Sequence, residues 1–180
     1  MLSSKQVIEQ TVNWIKNVVI DCNFCPFASK VVKSKSIFYH VEISGDIEIC
    51  LKTFAEEIKR LDNDESIETS LLILPFATKK FNDYLNLFYA AEESLKQKGY
   101  EGIYQLASFH PLYCFAGAEQ NDAANYTNRS PYPMLHLLRE SSIDIALQHY
   151  KYPEAIPERN IKFARQKGLM FMQMLRDACF

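Results

Sequence analysis

Thr69-Ser70-Leu71-Leu72-Ile73-Leu74-Pro75 is the stretch of sequence that decides the fold. Its apolar residues follow one another without a polar interruption over the length of one strand, and a proline ends the run. A strand that is apolar on both sides has to be covered on both faces, as the strands of α/β sheets are. The stretch therefore predicts a buried strand in an α/β fold.

Helices and strands alternate on either side of this strand. The β-branched and aromatic runs at 37–43 and 102–109 predict two further strands, and amphipathic patterns at 47–61 and 80–98 predict the helices between them. Strand–helix–strand order favours parallel neighbours joined by right-handed crossovers. We expect a small, mainly parallel three-stranded sheet, open to extension by further strands and covered by helices.

Further helices are predicted at both ends of the chain. Apolar residues at helical spacing predict an N-terminal helix that ends near Asp21, because Pro26 disfavours helix in the residue before it. Two C-terminal helices are predicted at 131–149 and 159–176. A chain of this length can bury a core of its own, so we expect one α/β domain spanning residues 1–180.

Composition excludes several classes of partner. The chain is 48% hydrophobic and has a formal net charge of −2, and its lysines and arginines form no stripe that could follow a nucleic-acid backbone. We therefore expect no duplex nucleic acid as a partner. The first residues lack a signal-peptide pattern, and no apolar run reaches the roughly 20 residues that span a bilayer. We expect a cytoplasmic protein with no membrane partner and with reduced cysteines.

His110 is the strongest single candidate for chemistry. It follows the predicted strand at 102–109, and open α/β sheets bind ligands beside the carboxyl ends of their strands. An imidazole there can act as a catalytic acid or base, because its charge changes near neutral pH. The structural alternative is a histidine that holds the loop through a hydrogen bond to the backbone.

The loop at 108–130 is long and rich in polar side chains. Connections in compact domains usually have about four to six residues, and much longer ones are often functional. Four side chains of this loop can hydrogen-bond a polar ligand: Asp122, Asn125, Asn128 and Arg129. The planar guanidinium of Arg129 suits a carboxylate or a phosphate. The alternative is an ordered loop whose side chains bind its own backbone.

The predicted helix at 131–149 contributes a second group of polar residues. His136, Arg139 and Glu140 lie three and four residues apart, so a helix would place them on one face. His136 is a catalytic candidate there, and Arg139 could hold an anion. The alternative is a solvated face with one ion pair. We predict a pocket built from the loop 108–130 and the helix 131–149.

Cys25 is the third catalytic candidate. Cys22 and Cys25 form a lone C-x-x-C, but no second pair completes a zinc site, and the motif follows a helix rather than a strand as in thioredoxin-type proteins. A single reactive thiol at Cys25 needs a base within reach, and His110 could supply it. The alternative is a buried thiol in an apolar turn.

Several strings, in order, resemble a known family: Cys25-Pro26-Phe27-Ala28, Ser108-Phe109-His110-Pro111, Thr127-Asn128-Arg129-Ser130-Pro131-Tyr132-Pro133 and His136-Leu137-Leu138-Arg139-Glu140. They resemble the bacterial family catalogued as domain of unknown function 1415, over roughly residues 4–150. The family pattern has one cysteine before Pro26, so Cys22 is an addition in this chain. The resemblance implies that the predicted site residues belong to one signature, and it implies no reaction or cofactor.

Three functional hypotheses remain open. The first is an enzyme for a small polar or anionic metabolite, in which His110 is the acid or base and Arg129 and Arg139 hold a carboxylate or phosphate. The second is a metal-dependent enzyme whose ligands would be His110, Asp122 and His136. The third is a non-catalytic ligand-binding module. The sequence names neither a cofactor nor an oligomeric state, and the first hypothesis expects His110 and Arg129 at the rim of one cavity.

Overall fold

The computed structural model describes residues 2–148 and 150–180. Its strands are β1 (Ile37–Val41), β2 (Thr69–Ile73), β3 (Tyr104–Phe109) and β4 (Met134–Arg139). Its helices are α1 (Ser4–Trp14), α2 (Ala28–Ser34), α3 (Ile47–Asn63), α4 (Phe81–Gln97), α5 (Glu140–Leu147), α6 (Ile156–Lys167) and α7 (Leu169–Asp177). A π-helical segment, Ile15–Ile20, continues α1, and short 3-10 turns form at Ala123–Thr127 and Pro153–Ala155.

The four strands form one mixed sheet in the order β1-β2-β4-β3. β1 and β2 pair in parallel, whereas β4 is antiparallel to both β2 and β3. The α/β class and the three predicted strands are confirmed. The prediction of a mainly parallel three-stranded sheet, open to extension, is correct only in part: a fourth strand, β4, lies between β2 and β3 and is antiparallel to both.

β4 corrects the prediction of a helix over residues 131–149. Residues 134–139 are a strand, and helix α5 begins only at Glu140. Met134 packs into the core on one face of the sheet, and Leu135 and Leu137 pack into the core on the other. A short run that is apolar on both sides fits either a buried strand or a buried helix. Residues 134–139 form a strand because their backbone pairs with β2 on one side and with β3 on the other.

The terminal helices follow the prediction with two changes. Ser3 caps α1 in a capping box with Gln6, and the helical segment ends at Ile20, next to the predicted Asp21. The predicted C-terminal helix divides into α6 and α7 at Gly168, whose φ of 83° is unsuited to a continuous helix. The short helix α2 was not predicted.

Helices cover both faces of the sheet. α3 and α4 pack on one face, around Phe54, Tyr84 and Leu87. On the other face, α1, the π-helical segment, α6 and α7 surround Trp14 and Met172. In the described part of the chain, no helix has the length and apolar character needed to cross a membrane.

Candidate functional site

A cavity of about 220 Å³ lies on the face of the sheet that α1 covers. Its floor contains side chains from all four strands, among them Ile37, Leu71, Phe109 and Leu138. Its walls come from α1, the π-helical segment, α2 and α5, through Trp14, Ile15, Val19, Phe27, Ala28, Val31, Ile143 and Ala146. An engineered cavity of roughly 150 Å³ holds benzene, so this one is large enough for a molecule of about nine or ten non-hydrogen atoms.

His136 brings a polar group to the floor of this cavity. It lies in β4 opposite Leu71 of β2 and Ala107 of β3, and its ring is in contact distance of Phe109, with centroids 6.0 Å apart. Strand geometry turns His136 toward the cavity, while its neighbours Leu135 and Leu137 point to the opposite face. The helical face predicted for His136, Arg139 and Glu140 is therefore wrong.

The hydrogen bonds of His136 determine which ring nitrogen carries the proton. Nε2 lies 2.6 Å from Oγ1 of Thr69, and the same Oγ1 donates to the carbonyl oxygen of Leu137 at 2.8 Å. A hydroxyl has one proton, so Thr69 Oγ1 accepts from Nε2–H. Nδ1 then carries a lone pair, and no hydrogen bond joins it to a described residue.

Burial keeps the His136 ring uncharged. The apolar surroundings lower its pKa from 6.5 to about 4, because a charged imidazolium would lose its hydration without gaining an anion. At neutral pH the ring is therefore a neutral hydrogen-bond acceptor on the side of Nδ1.

Cys25 lines the same cavity from the segment just before α2. Burial raises the pKa of its thiol, and the backbone N–H groups of Phe27 and Ala28 offset only part of this effect. The group is a free thiol, as are the other four cysteines of the chain. Cys25 is thus a weakly polar, uncharged part of the wall near neutral pH.

Two opposite charges stand at the mouth of the cavity. Lys30 Nζ lies 3.9 Å from a carboxylate oxygen of Glu68, and the lysine side chain is 65% exposed. Ser36 also donates to Glu68, at 3.4 Å. The Glu68 side chain is only 25% exposed, and its charge is paired with the exposed Lys30, so this pair forms the rim of the cavity.

Arg139 touches the cavity, but its guanidinium binds elsewhere. Nε donates to the carbonyl oxygen of Ile67 at 3.0 Å, and Nη2 donates to those of Leu61 and Asp64. Nη1 donates to the hydroxyl of Tyr104 at 3.3 Å. Arg139 therefore fastens β4 to the connection between α3 and β2.

His110 lies outside this cavity and uses both of its ring nitrogens. Nδ1 accepts from the backbone N–H of Leu112 at 3.0 Å, and Nε2 lies 2.8 Å from the carbonyl oxygen of Thr78. The side chain is 1% exposed, and burial lowers its pKa. This geometry corresponds to the structural alternative, a histidine that holds a loop.

Arg129 is similarly engaged with the loop backbone. Its Nε donates to the carbonyl oxygen of Tyr113 at 2.9 Å, and its Nη2 donates to that of Gln120 at 2.8 Å. The guanidinium also lies over the ring of Tyr126, 4.8 Å from its centroid, and the residue is only 8% exposed. Arg129 thus acts as an internal brace of the loop.

The other predicted binding residues of the loop also bind protein groups. Asn125 accepts from the N–H of Phe115 and donates to the carbonyl oxygen of Glu119. Asn128 donates to the carbonyl oxygen of Ser108, and Asp122 pairs with Arg165 at 2.7 Å.

The structure divides the predicted site residues into two groups. Cys25, His136 and Arg139 line the cavity, whereas five residues do not: His110, Asp122, Asn125, Asn128 and Arg129. The metal ligands proposed from the sequence are not brought together, and the described residues hold no group of three metal-binding side chains. The sequence did not identify Thr69 as a site residue. The available signal was the alternation of side chains along a strand, which places Thr69 on the same face of β2 as Leu71.

Comparisons with known proteins identify the family of the chain. A family model described as a protein of unknown function, domain of unknown function 1415, matches residues 6–174. Neither the curated proteins nor the solved structures gave a match. The match covers nearly the whole chain, so the chain belongs to the family of domain of unknown function 1415.

Proposed function

We propose that the protein binds a small, mainly apolar molecule in the cavity between the sheet and α1, α2 and α5. One observation carries this proposal: an apolar cavity of about 220 Å³ contains a single, partly buried imidazole whose Nδ1 has no partner among the described residues. Apolar walls with a few oriented polar groups are typical of ligand sites. Ring compounds of about ten non-hydrogen atoms fit this volume.

The charges around the cavity favour a neutral ligand over an anion. The guanidinium of Arg139 is directed to backbone carbonyls, and Lys30 is paired with Glu68 at the exposed rim. Burying a carboxylate or phosphate without a cationic partner costs several kcal/mol. The anionic metabolite predicted from the polar loop would require Arg129 to leave its carbonyl partners.

The protonation states favour binding over acid–base chemistry. A general base works best when its pKa lies near the working pH, whereas the pKa of His136 is lowered to about 4. The Cys25 thiol has a raised pKa, so it supplies little thiolate at neutral pH. Both groups therefore serve better as contacts for a ligand than as catalytic groups.

Catalysis in the same cavity is the second candidate function. The observation in its favour is that Cys25 and His136, two residues capable of chemistry, line the same cavity. The test is turnover of bound ring compounds that carry a reactive carbonyl, compared between the wild type and Cys25→Ser and His136→Asn. An activity that both variants abolish while they still bind the compound would establish the enzyme.

Binding is tested by thermal shift and NMR titration with indole and, for comparison, benzoate. We expect indole to raise Tm by several degrees at tenfold its Kd, which corresponds to about 1.4 kcal/mol, and benzoate to have no effect. Ala107→Leu fills the cavity floor and should abolish the shift. Gln105→Leu, on an exposed position of the same strand, is the matched control and should bind normally. Equal binding by Ala107→Leu and wild type would exclude the cavity as the site.

A further inference from the structure

We infer that Thr69 makes this cavity selective for ligands that donate a hydrogen bond, such as neutral alcohols, phenols or N–H heterocycles. Thr69 acts as a positioning residue that fixes the tautomer of His136. The inference rests on the proposed function, because it assigns a chemical class to the ligand of the same cavity.

The first step is the direction of the hydrogen-bond chain. The carbonyl oxygen of Leu137 can only accept, so the Thr69 hydroxyl points its proton there, at 2.8 Å. The Thr69 oxygen, 2.6 Å from Nε2 of His136, then has only lone pairs to offer. A neutral imidazole in this position must carry its proton on Nε2, and the backbone of β4 thereby determines the tautomer.

The second step is what remains for a ligand. The proton on Nε2 leaves a lone pair on Nδ1, and within the described chain no donor meets it. The described lining also contains the weakly polar Cys25 thiol and the Ser142 hydroxyl, and neither is hydrogen-bonded to Nδ1. A ligand hydroxyl or N–H placed against Nδ1 gains a hydrogen bond. A ketone or ether oxygen in the same place would bring its own lone pair against the lone pair of Nδ1, with no proton between them.

The third step is the size of the selectivity. A buried acceptor that is left opposite another acceptor loses its hydration without replacement. Sites that are built to hydrogen-bond one group discriminate strongly against analogues that lack it. We therefore expect a donor ligand to bind roughly tenfold to a hundredfold more tightly than a matched acceptor.

The experiment compares cyclohexanol with cyclohexanone. The two have similar size, but the hydroxyl of the alcohol can donate a hydrogen bond, whereas the carbonyl of the ketone can only accept one. NMR titration gives both Kd values, and nitrogen-15 shifts of the labelled imidazole report the tautomer of His136 directly. In the wild type we expect a proton on Nε2 and at least tenfold tighter binding of the alcohol. Thr69→Val, of nearly equal volume, should populate both tautomers and reduce the preference below about threefold.

Two further variants control for structural effects. Thr69→Ser keeps the hydroxyl and should restore both the tautomer and the preference. Thr53→Val removes a hydroxyl that binds Glu42 away from the cavity, and it should leave both unchanged. The wild-type spectrum and the wild-type ligand pair test the inference even if Thr69→Val does not fold.

The outcomes separate the two proposals. Equal binding of the two ligands, or a proton on Nδ1 in the wild type, would overturn the selectivity while leaving the cavity as a binding site. If neither ligand binds although the proton is on Nε2, the proposed binding function fails and the selectivity fails with it.

Discussion

The loop at residues 110–133 and the cavity beside β4 use polar side chains in opposite ways. In the loop they are numerous, and those of His110, Arg129, Asn125 and Asn128 all bind backbone groups of the protein itself. In the cavity they are few, and Nδ1 of His136 has no partner in the described chain. The difference teaches that a high density of polar residues can serve the protein's own backbone, whereas a single polar atom in an apolar cavity can stay without a partner.

The physical reason lies in the backbone. A long connection without helix or strand leaves many N–H and carbonyl groups without regular partners. Side chains such as Arg129, which reaches two carbonyl oxygens, replace those missing bonds. The cavity is bounded mainly by strands and helices whose backbone groups pair with one another, and His136 Nδ1 is bound to none of them.

The largest expected effect is a loss of stability when the loop loses the side chain of Arg129. Arg129→Ala should lower the free energy of unfolding by about 4 kcal/mol, because two carbonyl oxygens lose charge-assisted donors and Tyr126 loses its stacked guanidinium. Urea unfolding measures the change. Arg165→Ala, which removes an exposed ion pair with Asp122, is the control and should cost under about 1 kcal/mol. A small loss for Arg129→Ala, together with lost ligand binding, would instead make the loop the functional site.

The next effect concerns the cavity and is the dependence of stability on pH that His136 causes. The unfolded state, in which a histidine pKa is near 6.5, takes up a proton before the folded state does, since the pKa of folded His136 is about 4. This contribution is fully present above pH 6.5 and is lost as pH falls toward 4, by about 3 kcal/mol. The free energy of unfolding of His136→Phe should fall less steeply than that of the wild type as pH is lowered over this range. Equal acid sensitivity of variant and wild type would argue against a buried neutral ring.

A smaller effect concerns the rate of alkylation of Cys25. Because burial raises its thiol pKa, we expect Cys25 to react with iodoacetamide at pH 7 several-fold more slowly than a free cysteine. Bound indole should slow the reaction further. Mass spectrometry follows Cys25 and Cys22 in the same sample, and Cys22, which does not line the cavity, should not be protected by indole. Protection of both alike would point to a global effect of the ligand.

The smallest effect is expected at the rim. Lys30→Ala removes an exposed partner of Glu68 and should change stability by less than about 0.5 kcal/mol. Affinity for a neutral ligand should stay within about twofold. A large loss of affinity in isothermal titration would show that the lysine contacts the ligand, and the neutral-ligand proposal would then need revision.

Sequence patterns predicted the framework of the fold for clear physical reasons. β1 and β2 are rich in apolar and β-branched residues, β3 contains aromatic and apolar residues, and α3 and α4 have one apolar side each, so local pattern and final structure agree. β4 escaped because Met134-Leu135-His136-Leu137-Leu138 fits a helix as well as a strand. Only pairing with β2 and β3, which are distant in sequence, distinguishes the two.

The candidate site was predictable only in part. Cys25 and His136 were singled out from the sequence, but with other partners: His110 for the cysteine, and a helical face with Arg139 for the histidine. Once β4 is recognised as a strand, His136 and Thr69 fall on the same face of neighbouring strands. Whether a polar side chain is free or bound depends on contacts across the fold, which no local pattern records.

The position of β4 also has a consequence for how the protein is made. β4 is the last strand to be synthesised, yet it lies between β2 and β3, which share no direct pairing. While the nascent chain emerges from the ribosome, the inner edges of β2 and β3 stay open until residue 139 has appeared. The strand that closes this gap is the one that carries His136, so sheet completion and assembly of the cavity floor are the same event.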